Sequence, residues 1–233
     1  MSKEGFFSAV RQACRLAGPT LVTDSEKLDA GAIELQLRGT DLWLTSRVVE
    51  GYDPEDYRDL PTAAQEALAN AIEGFRRVAS AVPPDAPATR DQRDEAWGHF
   101  SRILRFVREY VTAEWLGAVE FLFQQAESLA VKREWGTKRF PKTLADSFLG
   151  AYEVSQLLIH RPDARFMLDP VARYAPGTTG LVDLYVMPSL GGTVLTRANG
   201  IWRIHPPQPG QPLQPWSEAA FLSALDGLAR AAA

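Results

Sequence analysis

Apolar side chains recur along this chain at two periods, and the period changes several times. Over 4–17, Phe7, Val10, Cys14 and Ala17 step by three or four, which predicts an amphipathic helix ending before Gly18-Pro19. The period then drops to two. In AIELQLR, Ile33, Leu35 and Leu37 alternate with polar residues, and a turn at Gly39-Thr40 would set Leu37 against Leu42 and Leu35 against Leu44, predicting an N-terminal β-hairpin over 32–49.

Helical spacing returns after Pro61. Leu68, Ile72, Phe75 and Ala79 form one stripe, with Thr62 and Gln65 at capping-box spacing. Thr89 and Gln92 repeat that signal before the longest pattern in the chain, which runs from Trp97 through Phe100, Leu104, Val107, Val111, Trp115 and Leu122 to Leu129. As one rod, residues 90–134 would be roughly 65 Å long, against a radius of gyration of only about 17 Å for a compact domain of this size. Either the helix breaks or it serves as a dimerisation arm, and Thr112 as an N-cap favours a break near that position. A further helix is expected over 141–159, opening at Pro141 and burying Leu144, Phe148, Tyr152 and Leu158.

The last third alternates again. LVDLYVM, GTVLTR and IWRIH read as three strands, and Asn199-Gly200 is a strong hairpin signal because both positions tolerate positive φ. Counting outward from that turn sets Arg197 against Trp202, with the cation resting on the indole, and Leu195 against Ile204. Val194, Thr196, Arg203 and His205 fall on the more polar side. Ser217 caps a final helix that carries Phe221, Leu225 and Leu228. Proline-rich VPPDAP (82–87) and PPQPGQPLQP (206–215) read as linkers between these blocks.

The resulting expectation is an α+β protein. It is a predominantly helical chain with an N-terminal β-hairpin and a C-terminal three-stranded antiparallel meander, the two β-regions able to join in one sheet. It reads as a single domain over 1–233, the alternative being a division into 1–82 and 89–233.

Composition narrows the function without fixing it. The 233 residues include 25 bases and 29 acids, a net charge of −4, so no global nucleic-acid footprint exists. The single cysteine, Cys14, excludes an internal disulfide and reads as a core thiol. With no secretory leader and no apolar run near the ~20 residues that a spanning helix needs, the expectation is a cytoplasmic protein with no membrane partner.

One segment departs from the acidic background. VKREWGTKRFPK, 131–142, gathers Lys132, Arg133, Lys138, Arg139 and Lys142 around Trp135 and Phe140. A loop between two helices, with Gly136 as the stop and cations complementing a helix C-terminus, accounts for it. It is also the candidate partner-binding segment, facing either a protein or the acidic stretch EGYDPEDYRD (50–59). Single-strand nucleic-acid binding is disfavoured, because two stacking aromatics are too few.

The spacings that mark nucleotide-binding loops, nucleophile elbows and zinc sites are absent. Asp183 sits inside an apolar strand and should have a partner in Arg173, Arg197 or His205. With His160 and His205 it forms the catalytic candidate set, and no cofactor or metal site is indicated. The reading is a non-enzymatic protein-interaction or assembly protein, binding an unknown partner or itself. The alternatives are a small-ligand binder or enzyme with a site beside the C-terminal sheet, and a nucleic-acid accessory protein using residues 132–142.

Overall fold

The structure is a computed structural model that describes residues 3–16, 49, 51–83, 89–206 and 212–232. The chain divides into two compact units, Met1–Val111 with Ser147–Gly150, and Thr112–Asp146 with Ala151–Ala233.

In the first unit, α1 (Lys3–Leu16), a 3-10 turn (Pro54–Tyr57) and α2 (Thr62–Ala81) precede α3 (Arg90–Lys132), whose residues up to Val111 belong here. Burial of Phe6, Phe7 and Val10 follows the helical period of α1, and Leu68, Ile72 and Phe75 do the same on α2. Tyr57 is fully enclosed by aromatic rings, with Phe6, Tyr52, Phe106 and Tyr110 centred 5.7–6.2 Å away. The reciprocal bonds between Thr89 and Gln92 form at the start of α3, at 2.9 and 3.3 Å. At α2 the box does not form. Gln65 Nε2 instead donates to Leu60 O at 2.7 Å.

The second unit corrects the expected fold. Among the described residues its sheet has seven strands in sequential order: β1 (Gly136–Asp146), β2 (Gly150–His160), β3 (Arg165–Ala172), β4 (Leu181–Met187), β5 (Gly192–Ala198), β6 (Ile201–Ile204) and β7 (Gln214–Pro215). All pairs from β2 to β7 are antiparallel. Among the described residues the arrangement is thus helices first and then one long meander, in place of the three C-terminal strands expected. Of the expected hairpin over 32–49, all but Val49 lies outside the described residues, as does the side chain of Cys14.

Where the spacing predicts a helix over 141–159, the chain forms most of β1 and β2. Leu144, Phe148 and Tyr152 are spaced by four, a multiple of the strand period as well as a near-match to the helical one. Gly150 at φ 85° turns the chain between the strands. Pro141, unable to donate, is tolerated because β1 is an edge strand. The expected break near Thr112 is also absent, and α3 runs unbroken through it, with no proline to interrupt its ladder.

Along β4, Val182, Leu184 and Val186 are buried and alternate with half-exposed Leu181, Asp183, Tyr185 and Met187. The buried set packs with Leu195, Trp202 and Ile204, with Trp115, Leu122, Phe123 and Ala126 of α3, and with Phe221, Leu225 and Leu228 of α4 (Glu218–Ala232). Helices therefore fill one face of the sheet. Trp115 is fully enclosed beside Trp202, their rings 6.0 Å apart. Ser217 caps α4, its Oγ accepting from the Ala220 N–H at 3.1 Å.

Candidate functional site

The β5–β6 turn forms as its sequence predicts. Asn199 and Gly200 take φ of 52° and 77°, pairing Arg197 with Trp202 and Leu195 with Ile204. This register sends Val194, Thr196, Arg203 and His205 to the sheet face opposite the helices, which we call the outer face. Asp183 and Tyr185 join them from β4, and Asp169 from β3.

A lateral row crosses four strands on this face. Asp169 pairs with Asp183, Asp183 with Val194, and the His205 N–H donates to Val194 O at 2.9 Å. Asp169 accepts from Lys142 Nζ at 2.5 Å, and that ammonium also donates to Pro170 O at 2.9 Å. The Asp183 carboxyl is pushed above its ordinary value, first by burial and then by Asp169, with Lys142 opposing. Burial also raises the Tyr185 phenol, helped by the two aspartates, and lowers the His205 imidazole. His205 Nε2 lies 3.1 Å from Thr196 Oγ1.

The partners expected for Asp183 are not there. Arg197 has the parity of Leu195 and projects to the helix-covered face, where its Nη1 meets Glu114 Oε1 at 2.5 Å in place of the expected stacking on Trp202. Arg173 is buried with the same carboxylate, its Nη2 3.2 Å from Glu114 Oε2, and its Nη1 donates to Thr179 O at 2.8 Å. His205 shares the row of Asp183 but stands two strands away. His160 ends β2 opposite Arg165 and is exposed. From β2 to β6 is four strand spacings, roughly 19 Å at about 4.8 Å each. His160, Asp183 and His205 thus do not converge, and no cluster among the described residues could hold a metal ion.

Residues 131–142 form a helix end and an edge strand. Glu134, not Gly136, takes the left-handed conformation, at φ 58°. Its N–H bonds to Val131 O at 3.1 Å and the Trp135 N–H to Ala130 O at 2.9 Å, the paired bonds of a Schellman cap. Three of the cations are tied to carboxylates. Lys132 meets Glu218 at 2.5 Å, and Lys142 meets Asp169. Arg139 forks between Glu127 (2.7 and 2.8 Å) and Glu120 (2.5 and 3.1 Å). These acids hold the Arg139 guanidinium above its ordinary value, Glu127 first, and Arg139 holds the Glu120 carboxyl below its own. Lys138 lies 4.9 Å from the Phe140 ring centre, and Arg161 lies 5.7 Å from that of Trp135. Arg133 and Lys138 form no ion pair among the described residues.

Two open clefts flank the second half of α3. One of about 430 Å³ is lined by Leu116, Val119, Phe123, Pro141, Glu153 and Val154 among others. The other, about 400 Å³, lies between Phe121, Gln124, Gln125 and Ser128 and the residues Trp216, Ser217 and Glu218. The sequence analysis assigns no strand to residues 165–172, so Asp169 gains its place on the sheet only with β3.

Comparison with known proteins returned no matching family, no matching curated protein and no matching solved structure.

Proposed function

We propose that this chain is a non-enzymatic interaction protein whose C-terminal unit binds a partner protein over the outer face of its sheet. The observation that carries the reading is the one-sided packing of that unit. Both helices of the unit lie on one face, and the opposite face of β4–β6 presents Asp183, Tyr185, Thr196, Arg203 and His205 half-exposed, with Ile201 51% exposed beside them.

That composition suits a protein surface better than a reaction centre. Tyrosine and arginine supply much of the energy of protein interfaces, and aspartate and histidine among them set register and charge match. The scattering of His160, Asp183 and His205 over three strands gives acid–base chemistry no common substrate position. The cations of 132–142 serve mainly intrachain pairs, so a phosphate backbone would have to compete with Glu120, Glu127, Asp169 and Glu218 for them.

The test is a photo-crosslinking residue placed at Tyr185 in the cell that makes the protein. A discrete protein adduct that Arg203→Glu abolishes supports the reading. Absence of an adduct, or one indifferent to Arg203→Glu, overturns it.

A further inference from the structure

The second half of α3 buries Leu122, Phe123, Ala126, Leu129 and Ala130 against its own sheet, which leaves a stripe on the opposite side. Phe121, Gln124, Ser128 and Val131 occupy it, with Phe121 58% and Val131 72% exposed. Water contact on two large apolar side chains along one helix face is unfavourable for an isolated chain. Gln124 and Ser128, between them, are polar but uncharged.

The ends of the stripe carry opposite charges. Glu120 lies beside Phe121, and Lys132 beside Val131. Lys132 is exposed and Glu120 half-exposed, and each already holds an intrachain partner, Glu218 and Arg139 respectively. Midway lies Ala126, five residues from Phe121 and from Val131, two from Gln124 and from Ser128, and six from Glu120 and from Lys132. The stripe is therefore complementary to itself when reversed. An antiparallel copy would set Phe121 against Val131, Gln124 against Ser128 and Glu120 against Lys132, whereas a parallel copy would set Glu120 against Glu120.

From this pattern we infer that a second copy of the chain docks on this stripe of α3 about a two-fold axis level with Ala126, which itself faces the core on the other side of the helix. Such an isologous contact needs self-complementarity, which the stripe supplies in apolar, amide and charged positions alike. The 400 Å³ cleft beside it, walled by Trp216 and Ser217, gives room for the second copy's side chains. Three helical turns bury less than the ~1,200 Å² of a stable interface, so the dimer is weak and reversible. This contact lies on the helix side of the unit and is separate from the sheet face proposed above.

The experiment is disulfide trapping of the full chain in a Cys14→Ser background. Mixing Phe121→Cys with Val131→Cys chains under mild oxidation should give mixed dimer several-fold in excess of either like-with-like dimer. Sedimentation of the unmodified chain should show concentration-dependent dimer, which Gln124→Glu and Phe121→Glu weaken at least tenfold while Tyr185→Ala leaves it unchanged. A chain that stays monomeric up to about 1 mM overturns the inference. So does a dimer that Gln124→Glu leaves intact, or trapping that favours the like-with-like pairs.

Discussion

Asp183 stands directly across the β3–β4 ladder from Asp169, and it is Asp169 that takes the ammonium of Lys142, at 2.5 Å. Two carboxylates side by side on one sheet face oppose each other, and the one without the direct ion pair bears the cost. The Asp183 carboxyl is accordingly held above its ordinary value, by burial first and by Asp169 second. Since its folded-state value is raised, the chain loses stability as pH rises from the unfolded-chain aspartate value, about 3.9, through the folded value. Asp183→Asn should therefore stabilise the protein at pH 7 by about 0.5–1 kcal/mol, the size of a cross-strand charge effect. The gain should vanish near pH 3, as urea unfolding at the two pH values will show. A gain that persists in acid would mean that charge is not its cause.

Arg139 behaves in the opposite sense. Its fork to Glu120 and Glu127 holds the Glu120 carboxyl below its ordinary value, so the stabilisation is present above the usual glutamate range and is lost as pH falls through the lowered value. Arg139→Met should cost roughly 1 kcal/mol at pH 7, discounted for the partial exposure of all three side chains, and progressively less as the pH falls through the lowered Glu120 value. Thermal melts across that range check it.

Glu134 sits at φ 58°, where a side chain is strained and glycine is not. Glu134→Gly should leave the Schellman bonds intact and raise stability by about 0.5 kcal/mol, the relief of left-handed strain outweighing the added freedom of the unfolded chain. A fall in the unfolding midpoint would show that the Glu134 side chain has a role its backbone does not reveal.

Gly180 is needed for the opposite reason, close approach. A Cβ there would come 2.7 Å from the Trp115 ring and 3.1 Å from the Arg197 Cβ. Trp115 is fully buried and cannot retreat, so Gly180→Ala should cost about 1–3 kcal/mol as an overpacking change. Chemical denaturation compares it with the parent, and a neutral result would place Trp115 elsewhere.

How far the sequence reveals this arrangement depends on what its local signals can carry. The Asn199-Gly200 turn is legible because two positive-φ residues fix a register, and that register alone assigns the faces of Thr196, Arg203 and His205. Asp183, by contrast, reads from the sequence as a buried carboxylate within an apolar strand, whereas it stands half-exposed on the face opposite the core. Residues 141–159 are not legible, since a spacing of four satisfies a helix and a strand alike, and only long-range pairing decides between them. Without β3, Asp169 has no visible place beside Asp183, and the arginines that then offer themselves as its partners are ones whose parity or burial sends them to the other side. In the same way Arg139 reads as a free cation along the chain, because Glu120 and Glu127 belong to a different element, 19 and 12 residues away.

The central claim, that the outer sheet face binds a protein, is tested most directly by titrating the crosslinked partner against purified chains in a calorimeter. Tyr185→Ala and Arg203→Glu should each weaken binding at least tenfold, as buried tyrosine and arginine anchors do, while Arg139→Met on the helix side leaves the affinity unchanged. Equal affinity across all three variants, or a loss confined to Arg139→Met, would contradict the account.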